Sequence, residues 1–264
     1  MERKSIVDYD DPRLDTVPAR FQRTCRLYGF EKHEKLRNAK VAIFGCGAVG
    51  SFCIESLVRS GIGSIRIIDF DAVDETNINR QIYALTSTVG KKKVEVAQAR
   101  LLDINPDLHI ETFAAFAEAK NIDSLIQGVD LVCDCIDVTV AKVALQAACI
   151  KAKLPIISSM GAATRTDPTK IQVKPIMRTE VCHLARACRT GLKQAGITTA
   201  DANKYCTAIV SSEPPVIKKE YTPPENADYT HGRPKEPLAS AATLTGMFGL
   251  WVANTAISKI TEEL

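Results

Sequence analysis

The feature that most constrains this chain is a short apolar run, Val41-Ala42-Ile43-Phe44, that ends directly in Gly45-Cys46-Gly47-Ala48-Val49-Gly50. Four consecutive apolar residues closed by glycine read as a strand buried on both faces. A G-x-G-x-x-G hexamer between such a strand and a helix permits a tight turn and leaves the backbone open to a phosphate. It also aims the unpaired N–H groups of the helix start at that phosphate. The next residues predict that helix, from about Val49 to Arg59, stopped by Gly61 and Gly63. A second strand, Ile65 to Asp69, then ends in a carboxylate 24 residues after Gly45, where it can accept hydrogen bonds from ribose hydroxyls. Up to this point NAD, FAD and ATP all satisfy the pattern, and a chance glycine-rich turn is the bland alternative.

The alternation continues. Lys93–Asn105 has helical composition, and His109–Phe113 alternates as a strand does. A helix near Ile122–Gln127 leads to the apolar Leu131-Val132-Cys133. Ala141–Lys151 reads as a helix and Pro155–Ser158 as a strand. Strands and helices in strict turn demand crossover connections, so the expected fold is α/β with a doubly wound, mostly parallel sheet. After Gly161 the periodicity fades: Ile171-Gln172-Val173 reads as a strand, and residues 213–237, with six prolines, read as one long loop. Leu238 to Ile257 carries no charge. Its Ser, Thr, Asn, Gly and Ala content favours a core helix over a membrane span. In 264 residues, 45% hydrophobic and 25% charged, a large core is affordable and disorder is excluded. A net charge of +3 neither demands nor excludes a nucleic acid. The expected organisation is a single domain, 1–264, with an N-terminal arm over 1–38, a nucleotide-binding core over 39–161 and a substrate-side part over 162–264.

The residues after the second strand do not suit a dehydrogenase. Asp69-Phe70-Asp71 leads into Asn77-Ile78-Asn79-Arg80-Gln81, then Val89-Gly90-Lys91-Lys92-Lys93, then Ile104-Asn105-Pro106, and Asp134-Cys135-Ile136-Asp137 closes the next apolar strand. With the glycine-rich turn, this set resembles the ThiF/MoeB-type adenylating superfamily, which is similar to the nucleotide-binding half of ubiquitin-activating enzymes. The resemblance implies a Rossmann-like core with an adenylating-enzyme C-terminal extension, and chemistry in which ATP is cleaved between its α- and β-phosphates to join a carboxylate to AMP. Negative charge then accumulates on the phosphates, and fixed cations with Mg²⁺ stabilise it. By resemblance, Arg80 and Lys93 contact the phosphates, Asp137 holds Mg²⁺, Asp69 binds the ribose, and Asn77 lies beside the triphosphate path. Gly45, Gly47, Gly50, Asp71 and Gln81 complete the expected nucleotide site. Arg23, from the N-terminal arm, is the candidate to cross a homodimer interface to the nucleotide. Surface salt bridges are the alternative for Arg80 and Lys93. Lys91 and Lys92 read as solvated.

Other segments resemble one branch of that superfamily, the tRNA threonylcarbamoyladenosine dehydratases. They are Arg20-Phe21…Arg26-Leu27-Tyr28-Gly29, Gly161-Ala162-Ala163…Asp167-Pro168-Thr169-Lys170-Ile171-Gln172-Val173, Ser211-Ser212-Glu213-Pro214 and Ala241–Gly249. The resemblance implies adenylation of the threonyl carboxylate of N6-threonylcarbamoyladenosine in tRNA, then attack by the neighbouring carbamoyl group, ring closure and loss of AMP. Proximity suffices for such a closure, and no protein nucleophile is required. Lys151, Lys153, Lys170, Lys174, Arg178, Lys218, Lys219, Arg233 and Lys235 supply a mildly basic second half for tRNA. The competing readings are an activator of a ubiquitin-like or sulfur-carrier protein, a non-catalytic scaffold, and an NAD-binding protein. Many carrier activators hold zinc with two CxxC pairs, and this chain has none.

The nine cysteines are odd in number and several lie in apolar runs. With no secretory signal legible at the start, a reducing, cytoplasmic location is expected, and mitochondrial association stays open for a eukaryotic host. A zinc site from Cys182, His183, Cys188 and Cys206 is poorly spaced. Cys206, placed in a loop, is the most exposed-looking thiol and the candidate for a covalent role. Partner proteins of a sulfur system also remain open.

Overall fold

In a computed structural model, described for residues 6–216, 238–262 and 264, seven strands form one sheet in the order β3-β2-β1-β4-β5-β7-β6. Two short helices, α1 (Gln22–Tyr28) and α2 (Phe30–Asn38), precede β1 (Lys40–Phe44). Next come α3 (Gly50–Arg59), β2 (Ser64–Ile68), α4 (Lys93–Ile104), β3 (His109–Phe113), α5 (Ile122–Ile126), β4 (Leu131–Asp134), α6 (Thr139–Lys151) and β5 (Ile156–Ser159). The first five strands are parallel, as the alternation predicts. On β1, Val41 and Ile43 enter one core, with α3 and α4, while Ala42 and Phe44 enter the opposite core. An uninterrupted apolar run is the signature of that two-sided burial.

Beyond Gly161 the structure is richer than the fading periodicity suggests. β6 (Ile171–Pro175) is followed by α7 (His183–Gln194), α8 (Thr199–Tyr205) and β7 (Cys206–Ser211). β7 adds in parallel to β5, and β6 pairs with it antiparallel at the sheet edge. Only every third or fourth residue of α7 is buried (Ala185, Cys188, Leu192), and apart from the partly buried Leu184 the rest are small or polar, so its apolar stripe is narrow. Cys206 therefore does not stand in an exposed loop. It opens β7, is fully buried, and burial pushes its thiol well above the ordinary value. That removes it as an accessible nucleophile. Of the expected loop 213–237, residues 217–237 lie outside the described residues, and so do Lys218, Lys219, Arg233 and Lys235.

The uncharged C-terminal stretch forms α9 (Ala242–Glu262). No described helix is long and apolar enough to cross a membrane. α9 packs on α3 through its small residues. A Cβ on Gly249 would stand 2.3 Å from the Val49 carbonyl oxygen and 2.8 Å from Phe52 Cβ. One on Gly246 would strike the Phe52 ring at 2.9 Å. The glycines in this helix thus let it press against the start of α3, immediately behind the glycine-rich turn.

Candidate nucleotide site

The chain reverses its winding between β1 and β4, which lie side by side although α3, β2, α4, β3 and α5 separate them in sequence. At such a switch point the loops leaving the two strands diverge and a crevice opens at their C-terminal ends. Here it is a cavity of about 720 Å³. It extends from Phe116, after β3, across the glycine-rich turn to Gly161–Arg165, after β5.

The three glycines of the turn serve different needs. Gly45 has φ +95°, and a Cβ there would lie 2.9 Å from the Cys135 carbonyl oxygen. A Cβ on Gly50 would overlap the Gly45 carbonyl oxygen at 1.7 Å. These two are required by the protein's own packing. At Gly47 the nearest atom is Gln81 Nε2 at 3.8 Å, so glycine there leaves space for a ligand. No side chain caps the N-terminus of α3, which meets the cavity through Val49.

Asp69 succeeds β2 and is buried. One carboxylate oxygen accepts from the Cys46 amide at 2.6 Å and the other from the Asp71 amide at 2.9 Å. The carboxylate thus fixes the turn as well as facing the cavity. Burial holds its pKa above the usual carboxylate range, opposed by the charge of Lys93. Lys93, the first residue of α4, is buried too. Its ammonium donates to Asp71 Oδ2 at 2.7 Å. Lys91 and Lys92 are exposed, as expected. Arg80 Nη1 donates to the Thr76 carbonyl and to Asn79 Oδ1, both at 2.7 Å, which sets its guanidinium at the cavity wall beside Asn77 and Gln81. Asp137, past the end of β4, lines the same cavity. The structure therefore gathers Gly45, Gly47, Asp69, Asp71, Asn77, Arg80, Gln81, Lys93 and Asp137 around one space. Gly50 supports it from behind. Arg23 does not join them: it is exposed on α1.

Three features escape sequence reasoning. Phe70 and Phe116 meet edge to face, with centroids 5.0 Å apart, and line the β3 side of the cavity. Arg165 is buried at the β5 side. It donates to the Gly161 carbonyl and, at 2.9 Å, to the Glu213 carbonyl. The Glu213 carboxylate in turn accepts from the amides of Thr166 (3.0 Å) and Asp167 (2.9 Å). Third, the turn carrying Asp137 rests on a buried polar cluster. Asp134 Oδ1 accepts from the Ile136 amide at 3.1 Å, and Oδ2 from Lys142 Nζ at 2.7 Å and from the Ser158 hydroxyl. Gln146 Nε2 donates to Ser158 Oγ at 2.8 Å. The paired spacing Asp134/Lys142 was the available signal, since a lysine inside an apolar helix needs a buried partner. Cys182, His183, Cys188 and Cys206 do not assemble a metal site, and no group of three metal-ligating side chains occurs among the described residues.

Sheet order, switch-point cavity and glycine-rich turn define an α/β protein of the nucleotide-binding type, with cationic and acidic side chains gathered around that turn. The chain belongs to the ThiF family, whose pattern matches residues 21–263. It is 36% identical over 247 residues to a tRNA threonylcarbamoyladenosine dehydratase of Bacillus subtilis, covering 92% of this chain and 95% of that one. The crystal structure of the Escherichia coli tRNA N6-threonylcarbamoyladenosine dehydratase in complex with ATP superposes with a TM-score of 0.81. There the identity is 32%, with 91% of this chain and 93% of that one covered. The same enzyme in complex with AMP gives a TM-score of 0.80 at 33% identity, over 91% and 93% of the two chains.

Proposed function

We propose that this protein is an ATP-dependent tRNA threonylcarbamoyladenosine dehydratase. It adenylates the threonyl carboxylate of N6-threonylcarbamoyladenosine in tRNA and promotes its cyclisation, with release of AMP. The observation that carries the reading is the continuity of one cavity from an aromatic wall through the glycine-rich turn to the β5 loops, in a chain that matches dehydratases over nine-tenths of its length. A carrier-protein activator is not favoured by that coverage.

In this reading the adenine lies toward Phe70 and Phe116 and the ribose toward Asp69. The phosphates lie over Gly47 and the start of α3, and the acyl group sits at the β5 side near Arg165. Lys93 exchanges its contact with Asp71 for the phosphates, and Arg80 faces them from the opposite loop. Once Lys93 has made that exchange on ATP binding, both cations stand beside the phosphates before charge develops on them. The carboxylate oxygen attacks the α-phosphorus and pyrophosphate departs. The carbamoyl group then attacks the acyl carbon, AMP leaves, and the nucleoside has lost one water.

The donor set fits Mg²⁺. The Asp137 carboxylate lines the cavity, and Mg²⁺ is commonly held by one or two carboxylates with substrate phosphates and waters. When bound, the ion would neutralise phosphate charge. The organisation into an arm over 1–38, a core over 39–161 and a substrate side over 162–264 belongs to this reading. So do a homodimer in which Arg23 reaches a second copy's nucleotide, and a reducing, cytoplasmic setting, supported by nine free cysteines of which eight are buried. The test incubates the protein with ATP, Mg²⁺ and tRNA bearing threonylcarbamoyladenosine, then weighs the nucleosides by mass spectrometry. ATP-dependent loss of one water is expected. ATP binding without that loss would overturn the reading.

A further inference from the structure

A second groove lies between α6 and α7, of about 560 Å³. That is within the ~300–1,000 Å³ typical of small-molecule sites. Its α6 wall is Thr139, Val140 and Val143, and its α7 wall includes Arg186, Ala187 and Thr190. His183 lines this groove and the nucleotide cavity alike, so the two spaces adjoin there. Gly191 brings the helices together, because a Cβ on it would come 2.7 Å from Val143.

The groove joins an apolar floor to an unopposed positive charge. Val140 is 81% exposed, although the rest of α6 is largely buried. Its exposure in the first helical turn has no role in the core. The sequence of α7, HLARACRTGLKQ, contains Arg186, Arg189 and Lys193 and no acidic residue. Arg189 is engaged by Thr179, whose carbonyl and hydroxyl both accept from it at 2.7 Å. Arg186 and Lys193 are exposed, and no ion pair among the described residues engages them. From His183, the steps to Arg186 and then to Thr190 and Lys193 keep helical spacing, so the cationic face starts at the cavity mouth and runs along α7.

We propose that this groove seats a nucleotide of the RNA strand next to the modified adenosine, with its base over Val140 and Val143 and its phosphate on Arg186, and that Lys193 takes the phosphate beyond. The proposal rests on the tRNA reading above. RNA in single-stranded loops is read by splayed bases, stacked as a rule on aromatic rings or arginine planes, while cations hold the phosphates; here the apolar faces of Val140 and Val143 would cover the base instead. A cationic track that begins beside the reaction cavity, at the shared His183, suits that strand. An acidic protein tail would use the charge but leave the apolar floor idle.

The test measures the affinity of the full-length protein for tRNA bearing threonylcarbamoyladenosine at several salt concentrations, with steady-state kinetics of water loss and with ATP affinity. Arg186→Glu and Lys193→Glu should each weaken tRNA binding about tenfold and lower the salt slope by about one for each lost phosphate contact. The KM for tRNA should rise, while kcat and ATP affinity stay near wild type. Val140→Asp should weaken tRNA binding without changing ATP affinity. If the wild type converts the tRNA and all three variants keep its KM and salt slope, the groove is not the RNA seat and the dehydratase reading stands. If the wild type converts no tRNA, both fall. A groove that instead binds a Gly-Gly-terminated carrier protein in an Arg186-dependent way overturns the proposal in favour of a protein partner.

Discussion

Replacing Lys142 by methionine probes the buried cluster beneath the Asp137 turn. Lys142 and Asp134 are both 0% exposed, with Nζ 2.7 Å from Oδ2. Methionine keeps the length and apolar stem of the side chain and removes the charge, so packing changes little. The result is a carboxylate with no counter-charge, sealed from water. Breaking a buried pair from one side costs about 3–5 kcal/mol. Asp134 still accepts from the Ser158 hydroxyl and the Ile136 amide, which places the loss near the lower end, about 3 kcal/mol. For a domain of this size 1 kcal/mol corresponds to roughly 2–4 °C, so Tm should fall by about 6–12 °C. The double variant Lys142→Met/Asp134→Asn removes the stranded charge and keeps an acceptor for Ile136, so it should recover at least ~1.5 kcal/mol of the loss. Urea unfolding of the four proteins of the cycle measures both quantities. A single variant that loses less than about 1 kcal/mol, or a double variant no more stable than the single, would refute the reasoning that the pair is a sealed, mutually dependent charge couple.

The site and the core support three further expectations. Arg80→Ala, Lys93→Ala and Asp137→Ala should each lower turnover at least ~10²-fold with unchanged circular dichroism; near-wild-type turnover in all three would remove the assigned roles. Cys135 is half-buried and lines the nucleotide cavity, whereas the other eight cysteines are buried. A thiol reagent should therefore label Cys135 first in the native protein, and saturating ATP should slow that labelling several-fold, as peptide mass mapping would reveal. His33 is buried against Phe21 and Gly61, and neither ring nitrogen has a hydrogen-bond partner among the described residues. Burial, and after it the charge of Arg37, holds its pKa below the ordinary value. The unfolded chain thus takes up a proton near pH ~6.5, before the folded one does, and stability should fall as pH drops through that value and level off below the folded pKa. His33→Gln should flatten that slope in urea midpoints taken from pH 7.5 to 5.

Much of the nucleotide-binding half is legible in the sequence because its information is local. An apolar tetrad closed by glycine, a helix stopped by glycine, and an acidic residue at the end of each of two strands depend on residues a few positions apart. Each therefore predicts β1, α3, β2 and β4 nearly to their observed ends. The second half is less legible for an equally physical reason. α7 buries a narrow stripe, and β7 becomes a strand because β5 and β6 supply its partners from either side. Cys206 carries no local mark of burial. The register of β7 against β5, which pairs it with Ile156, takes it from an apparent loop into the core.

Charge obeys the same division. By its sequence alone, this chain determined a glycine-rich turn between strand and helix, a doubly wound alternation, and a set of cationic and acidic residues in the spacing that resembles the adenylating superfamily. Only the tertiary structure decided which of those charges are buried and what they face. Lys91, Lys92 and Lys93 are identical in composition, yet the helix that begins at Lys93 turns that one inward to Asp71 while the other two stay in water. Lys142, a lysine set in an apolar helix, needs a buried partner, but only the packing of α6 on β4 and β5 shows that the partners are Asp134 and Ser158. The uncharged C-terminal stretch, which its composition favours as a core helix over a span, gains its packing partner through Gly246 and Gly249 fitting against α3. Local patterns fix φ, ψ and periodicity, but the partner of a buried charge or a helix face sits on another element, from 8 residues away for Lys142 and Asp134 to 22 for Lys93 and Asp71, and strand register and helix packing set which groups meet.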